Sequence, residues 1–293
     1  MSFQIDTAFV NQFGSNIDML VQQKGSRLSR AVRYETGVKG ETAFYDQIGA
    51  TEAVEVADRH GDSPLVSTPH SRRRVTMVDV EWGDLIDDFD RLKTLIDPES
   101  AYSMNASWAV GRKIDDIIIR NMFAAAATGK SGSSSVTFPA GNVVAADYDG
   151  DGTAEGLTVA KLRNARKLLR ASEVPEDEPM YIAVTAAQLD NMLGTTEVTS
   201  SDFNTVKALV QGDVNSFMGF EFIHTERLET DSNDYRRVPV WSRNGLLLAV
   251  AKEPMVRITE RSDKRFSTYV YYATSVGSTR MEEDRVIEIK CAE

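Results

Sequence analysis

The segment from residue 147 to residue 158 carries the residue types and spacing of a calcium-binding loop. Aspartates occupy its first, third and fifth positions and a glycine its sixth, and carboxylate oxygens are the ligands that Ca²⁺ prefers. The twelfth position, where such loops carry a bidentate glutamate, is Thr158. This departure favours a polar turn that leads into a helix capped by Thr158. The alternative, a calcium ion held by Asp147, Asp149 and Asp151, stays open as the one cofactor that the sequence suggests.

Other groupings that could support catalysis are weaker. Residues 124–131, AAAATGKS, approach the loop that cradles phosphates, but alanine replaces its first glycine and the segment ends a predicted helix, where the motif requires a preceding strand. The three histidines, His60, His70 and His224, are scattered, and none has a second histidine or a cysteine at ligand spacing. They support no Ser-His-Asp or Cys-His pattern. The sequence therefore predicts a protein that is not an enzyme.

Charged residues are concentrated in two neighbouring blocks. Three consecutive arginines precede a predicted strand, and an acidic run follows that strand. A nucleic-acid surface would need flanking aromatic residues or further basic ones, which this part of the sequence lacks. Complementary blocks of this kind either serve contacts between copies of a chain or are solvated faces, and both interpretations stay open. The candidate residues for contacts between copies are Arg72, Arg73, Arg74, Asp84, Asp87 and Asp88.

The overall composition excludes several classes of function. The 293 residues include 33 basic and 44 acidic ones, a net charge of −11, which argues against a surface built to bind nucleic-acid phosphates. A single cysteine, Cys291, cannot form an internal disulfide, as expected of a protein made in a cytosol. The apolar runs are far shorter than the roughly 20 residues of a membrane span, and the N-terminus has no signal-peptide pattern. We therefore expect a soluble protein that neither enters a membrane nor is exported.

A polar-tipped ribbon is predicted in the first quarter of the chain. Residues 42–48 and 51–57 alternate as strands do, and the chain returns through residues 75–82 after a stretch that is dense in turn-forming residues. A two-stranded ribbon with no third strand nearby in sequence is marginal alone in water. It therefore needs a surface to lie on, either its own domain or a neighbouring copy.

A long helix is predicted to follow. Asp97 suits its N-cap and Pro98 its first turn, and an apolar stripe continues to Thr128. A helix of about 31 residues would be about 46 Å long. Gly129 is expected to stop it at the position after the cap.

The remaining segments predict an α/β layer and a final antiparallel set, so that the whole chain is of the α+β class. Residues 1–37 form either a docked N-terminal helix or an arm that folds on a partner, and both alternatives stay open. The α/β layer combines helices at 158–171, 186–193 and 202–210 with strands at 180–184, 219–224, 238–241 and 245–250, and the antiparallel set covers 255–260, 266–273 and 285–290.

This order of parts resembles the major capsid proteins of tailed bacteriophages, which share the Hong Kong 97-type fold. The resemblance runs colinearly through nearly the whole chain, and local segments are similar to a podophage-type branch of that family. These motifs are structural rather than catalytic. The segments are 22–28 (QQKGSRL), 46–49 (DQIG), 59–64 (RHGDSP), 82–87 (WGDLID), 97–98 (DP) and 111–116 (GRKIDD).

The resemblance implies a division into four structural parts and a structural function. Copies would assemble as hexamers and pentamers into an icosahedral shell around double-stranded DNA, with the protein located in the virion after assembly in the cytoplasm of a host bacterium. The expected parts are an N-terminal arm (1–37), an extended loop or E-loop (38–83), a peripheral domain with a long spine helix (84–150 and 249–293) and an axial domain (151–248).

The implied partners are further copies of the chain, a portal protein, a scaffolding protein and, as an open case, a decoration protein. Because the assigned elements occupy all 293 residues, we expect the scaffold to be a separate chain. Two alternatives stay open at this stage. One is the shell protein of an encapsulin-like nanocompartment, and the other is a calcium-dependent binding module or enzyme.

Overall fold

The computed structural model describes residues 21–55, 63, 65–86, 99–148, 152–194 and 216–293. Within these residues, helices and strands alternate as a mixed fold, which confirms the predicted α+β class. The helices are α1 (Glu99–Phe123), α2 (Val159–Ala171) and α3 (Ala186–Gly194). The strands are β1 (Arg33–Thr36), β2 (Thr42–Ile48), β3 (His70–Thr76), β4 (Val78–Ile86), β5 (Ala126–Thr128), β6 (Ser134–Val136), β7 (Val143–Val144), β8 (Met180–Val184), β9 (Ser216–Phe217), β10 (Phe220–His224), β11 (Arg236–Ser242), β12 (Leu246–Arg261), β13 (Ser267–Arg280) and β14 (Val286–Cys291).

The chain contributes to two compact units, which differ from the four parts expected from the resemblance. The first unit takes its described residues from the ranges 1–26, 79–113 and 253–275. The second takes them from 27–78, 114–252 and 276–293. The four-part division stays a prediction.

A six-stranded sheet in the order β7-β14-β11-β8-β10-β9 forms the core of the second unit. Strand β8 is buried along its whole length, as its uninterrupted apolar sequence predicts. It pairs in parallel with β10 and antiparallel with β11. Trp241 of β11 is fully buried, and its indole nitrogen donates to the carbonyl oxygen of Ala31 at 2.8 Å. Cys291, at the end of β14, is also fully buried.

Helix α2 confirms its predicted start. The side-chain oxygen of Thr158 accepts from the backbone N–H of Lys161 at 3.3 Å, as an N-cap does. Leu162, Ala165 and Leu169 recur on one face of the helix and are fully buried. The predicted helix at 202–210 lies outside the described residues.

The predicted ribbon is wrong in two respects. Strands β2 and β3 pair antiparallel, but β3 includes the arginine triplet and β4 is a separate strand. A third strand does exist: β5 pairs with β3, Arg73 opposite Thr128, and β6 completes a sheet in the order β2-β3-β5-β6. Residues 51–55 form no strand, because none of the described chain offers them a partner.

The predicted end of the long helix is wrong as well. Helix α1 ends at Phe123 after 25 residues, and the alanine-rich stretch that follows forms β5. Alanine favours helices, but strand pairing overrides that preference here. Gly129, with φ of 89°, makes the turn from β5 towards β6 instead of capping the helix. The predicted N-cap, Asp97, lies outside the described residues.

In the first unit, the described end of the N-terminal segment lies on α1 without forming a helix over residues 21–26. Lys24 lies 5.5 Å from the ring centre of Trp108, and Arg112 donates to the carbonyl oxygen of Gln23 at 3.0 Å. A Cβ atom at Gly111 would come within 2.5 Å of the backbone there. Glycine thus permits this close approach, and the docked-helix alternative is wrong for these residues.

Strand β4 is the last strand in the sheet order β1-β12-β13-β4. In the first unit, a Cβ atom at Gly83 would lie 2.2 Å from the hydroxyl oxygen of Tyr269, so a side chain there would displace the ring. Tyr271 donates to Glu81 at 3.1 Å. Among the described helices, none has the length and apolar character needed to span a membrane.

Candidate functional site

The base of the ribbon is fixed to the rest of the second unit by Arg73. Its side chain is 7 % exposed. Its Nε donates to the carbonyl oxygen of Met281 at 2.9 Å, and its Nη2 donates to both carboxylate oxygens of Glu283 at 2.7 and 2.6 Å. Breaking such a buried pair leaves an uncompensated charge. Arg73 therefore has a structural partner within its own chain.

Arg280 lies beside this pair and was not predicted from the sequence. It is fully buried, and its Nη1 donates to the carbonyl oxygens of Met122 at 2.8 Å and Ala124 at 2.9 Å. The guanidinium thus caps the C-terminus of α1, where backbone carbonyls lack helical partners and the helix dipole favours a cation. Burial lowers the pKa of Arg280, and the nearby Glu283 opposes that shift.

The same guanidinium holds two further elements. Its Nη2 donates to the carbonyl oxygen of Val136 in β6 at 3.2 Å, and its centre lies 5.1 Å from the ring centre of Phe138. Its Nε lies 3.7 Å from Glu283. The only sequence signal would have been a charged residue at the end of an otherwise apolar and small-residue strand. That signal is weak, since charged residues often end strands.

The three consecutive arginines have different environments. Arg72 forms an ion pair with Asp46 across the β2–β3 pair, and the hydrogen bond from Arg72 lowers the pKa of Asp46. Arg73 binds Glu283, as described above. Arg74 makes no hydrogen bond or ion pair with the described residues, and its Nε is buried without an acceptor. Contacts of these residues with another copy stay a prediction.

The acidic partners predicted for them are only partly described. Asp84 is exposed on β4, and one of its carboxylate oxygens accepts from the backbone N–H of Leu85 at 2.8 Å. Asp87 and Asp88 lie outside the described residues. Asp84 is therefore the predicted acidic contact whose surroundings are known.

The ribbon tip comprises residues 49–69, and those of its residues that the structure describes include exposed apolar side chains. Ile48, at its edge, is 71 % exposed, Val54 is 62 % exposed and Leu65 is fully exposed. The backbone N–H of Gly49 donates to the carbonyl oxygen of Pro69 at 2.9 Å, so the two ends of the tip are held together. These exposed apolar side chains make the tip a candidate surface for contact with another molecule.

The predicted calcium ligands stay untested. Asp147 is exposed, and Asp149 and Asp151 lie outside the described residues. In the part of the chain that the structure describes, no cluster of three or more histidine, cysteine, aspartate or glutamate side chains is placed to hold a metal ion. The calcium loop remains a prediction from the sequence.

Glu293 should make the stability of the second unit depend on acid pH. Its carboxylate accepts from Arg236 at 2.7 and 3.0 Å and from Gln188 at 2.8 Å, and these bonds lower its pKa from 4.5 to about 2. A lowered pKa stabilises the fold above the unfolded-state value, and this stabilisation is lost as the pH falls towards 2. Glu293→Gln should therefore lower the free energy of unfolding at neutral pH but change it little near pH 2, as measured by urea denaturation across this range.

Asp263 offers a control for that measurement. Arg261 likewise lowers its pKa to about 2, but both side chains are exposed. Exposed pairs contribute little because solvent screens them, so Asp263→Asn should leave the pH profile of stability close to that of the unaltered protein. Equal pH profiles for Glu293→Gln and the unaltered protein would contradict the expected role of Glu293.

A sequence model of a known protein family matches nearly the whole chain. Residues 5–293 match the sequence model of the phage capsid protein family. The chain belongs to this family. No curated protein sequence matches the capsid protein.

Solved structures similar to the capsid protein include capsids of phages and of a GTA particle. The capsid of cyanophage P-SCSP1u has a TM-score of 0.74 at 15 % identity and covers 100 % of this chain and 96 % of its own. The capsid of Ralstonia phage GP4 has a TM-score of 0.72 at 10 % identity, covering 99 % and 97 %. The capsid of a native GTA particle has a TM-score of 0.66 at 12 % identity, covering 99 % and 98 %. These similarities show the fold.

The expected Hong Kong 97-type fold and the expected role are thus confirmed. The capsid protein is a structural component of the virion and assembles with copies of itself into a capsid shell. The two alternatives, an encapsulin-like nanocompartment shell protein and a calcium-dependent binding module or enzyme, are not favoured.

Proposed function

We propose that the capsid protein forms the hexamers and pentamers of an icosahedral shell around double-stranded DNA. The observation that carries this proposal is the ribbon tip, which exposes Val54 and Leu65 and has no strand partner among the described residues of its own chain. A neighbouring subunit would supply the missing apolar surface. The net charge of −11 suits a wall that must enclose DNA without binding it tightly.

The further partners in this proposal are a portal protein, a separate scaffolding protein and, for some shells, a decoration protein that binds the outside. The reason for a scaffold is geometric. Hexamers and pentamers use the same subunit surfaces at different curvatures, so weak contacts alone do not select one closed shell. Assembly would take place in the cytoplasm of the host bacterium. The chain itself would have a structural role without catalytic activity.

Expression of the capsid protein alone should yield subunits, tubes or irregular shells, because curvature is left unspecified. Co-expression with a charged, helical protein encoded beside it should yield uniform closed particles. Negative-stain electron microscopy of both preparations distinguishes these outcomes. Uniform shells from the chain alone would refute the separate scaffold, whereas the absence of any assembly in both preparations would contradict the proposed shell.

A further inference from the structure

Of the three consecutive arginines, Arg74 alone is left without an acidic partner in the described chain. Arg72 is neutralised by Asp46, and Arg73 by Glu283. Arg74 lies on the same face of β3 as Arg72, since side chains alternate along a strand. Arg72 and Arg73 each have a carboxylate beside the guanidinium, whereas Arg74 has none among the described residues.

The side chain of Arg74 packs against the loop that joins β5 to β6. A Cβ atom at Gly132 would lie 2.5 Å from Cδ of Arg74 and 3.0 Å from its Nε, so the arginine stem lies across this glycine. Gly132 has φ of 69°, a conformation that favours glycine. Of the guanidinium nitrogens, only Nε is buried without an acceptor. The stem is thus held in place while the half-buried side chain keeps its terminal nitrogens available.

A cation held in this way is preorganised for an ion pair. A flexible surface side chain loses conformational freedom when it binds, whereas a stem that is already fixed loses little. The planar guanidinium also suits a carboxylate, which it can bind through two parallel hydrogen bonds. The group best suited to bind Arg74 is therefore a single carboxylate.

Strand β4 carries exposed acidic side chains that could pair with such a cation. Asp79 and Asp84 are exposed there, and neither has an ion-pair partner among the described residues. Strand β4 is the last strand of its sheet among the described residues, and the edge of a sheet offers unpaired backbone groups to another molecule. Two other dense acidic stretches among the described residues are already neutralised in part: Glu178 and Glu282 bind Arg285, and Glu283 binds Arg73.

We propose that Arg74 binds Asp84 of a neighbouring copy, so that the arginine triplet provides one contact between subunits and two within the subunit. This inference rests on the proposed shell and names one of its contacts. It replaces the expectation that all three arginines serve the interface in the same way. Packaged DNA is the less favoured partner, because a nucleic-acid surface needs several free cations together, whereas Arg72 and Arg73 are neutralised within the chain.

The test is a double-mutant cycle on assembly. Arg74→Gln and Asp84→Asn should each raise the subunit concentration needed for assembly by about fivefold at low salt, and the double variant should show no further rise. Light scattering under the conditions in which the unaltered protein assembles gives this concentration. The effect should shrink in about 1 M salt, which screens the pair. Thermal melting of the unassembled subunits should be unchanged.

Arg72→Gln is the matched control. It removes the same charge from the same strand face, two residues from Arg74, but Arg72 is already paired with Asp46 of its own chain. It should assemble at nearly the concentration of the unaltered protein. Assembly of Arg74→Gln at that concentration would overturn the inference, as would additive effects in the double variant or an equal effect of Arg72→Gln. Loss of DNA binding by Arg74→Gln shells with unchanged assembly would assign Arg74 to DNA instead. Failure of the unaltered protein to assemble even with its scaffold would contradict the proposed function and, with it, this contact, whereas normal assembly of Arg74→Gln contradicts the contact alone.

Discussion

Replacing residues 52–67 with a short glycine–serine turn should yield a folded subunit that no longer forms shells. The two ends of the ribbon tip are already held together by the hydrogen bond between Gly49 and Pro69, so a short turn can join them. Shortening a surface loop changes the entropy of loop closure only slightly, and the stability of the subunit should be nearly unchanged. Assembly should be lost because the exposed apolar residues Val54 and Leu65 are removed. Size-exclusion chromatography, circular dichroism and electron microscopy check these results.

The bounds of this replacement follow from the fold. A deletion that extended into β3 would remove Arg73, whose guanidinium binds Glu283, and would disturb the subunit itself. The control is Tyr148→Ser, which removes an exposed apolar side chain elsewhere and should leave assembly intact. Normal particles from the tip replacement would show that the tip is not needed between subunits.

Arg280→Met should destabilise the capsid protein by about 3–5 kcal/mol, because several buried carbonyl oxygens lose a charged donor. Methionine fills much of the same volume but cannot donate hydrogen bonds, so the carbonyl oxygens of Met122, Ala124 and Val136 would lose their donor in a buried site. Glu283 would keep only Arg73. Urea denaturation of unassembled subunits measures the change in the free energy of unfolding.

Arg257→Met is the matched control for this experiment. Arg257 lies on the exposed part of β12, and the same substitution there should change the free energy of unfolding by less than about 0.5 kcal/mol. Equal stability of Arg280→Met and the unaltered protein would contradict the assignment of Arg280 as the cap of α1.

The parts of the fold that the sequence predicted correctly are those with strong local signals. The buried strand at 180–184 agrees with β8, and the helix at 158–171 agrees with α2 to within one residue. An uninterrupted apolar run and a threonine cap are local properties, and they are visible without knowledge of the partner. The overall order of parts was equally informative, since the colinear resemblance by itself indicated the capsid fold.

The failures arose where distant residues decide the local structure. The stretch from Ala124 to Thr128 has the composition of a helix, but strand pairing with β3 and β6 and the capping of α1 by Arg280 determine its conformation. The three arginines of the triplet have different environments. Arg72 pairs with Asp46, Arg73 pairs with Glu283, and Arg74 packs against Gly132. No pattern in the triplet itself could distinguish them.

The burial of Cys291 has a practical consequence for chemical modification of the particle. The thiol is fully buried, and burial raises its pKa from 9.0 to about 12, so the reactive thiolate is nearly absent at neutral pH. It is also the only cysteine in the sequence. A cysteine introduced on the exposed ribbon tip would therefore be the only reactive thiol of a folded subunit. Dyes or crosslinkers could then be attached at one chosen position per subunit without first removing the natural cysteine.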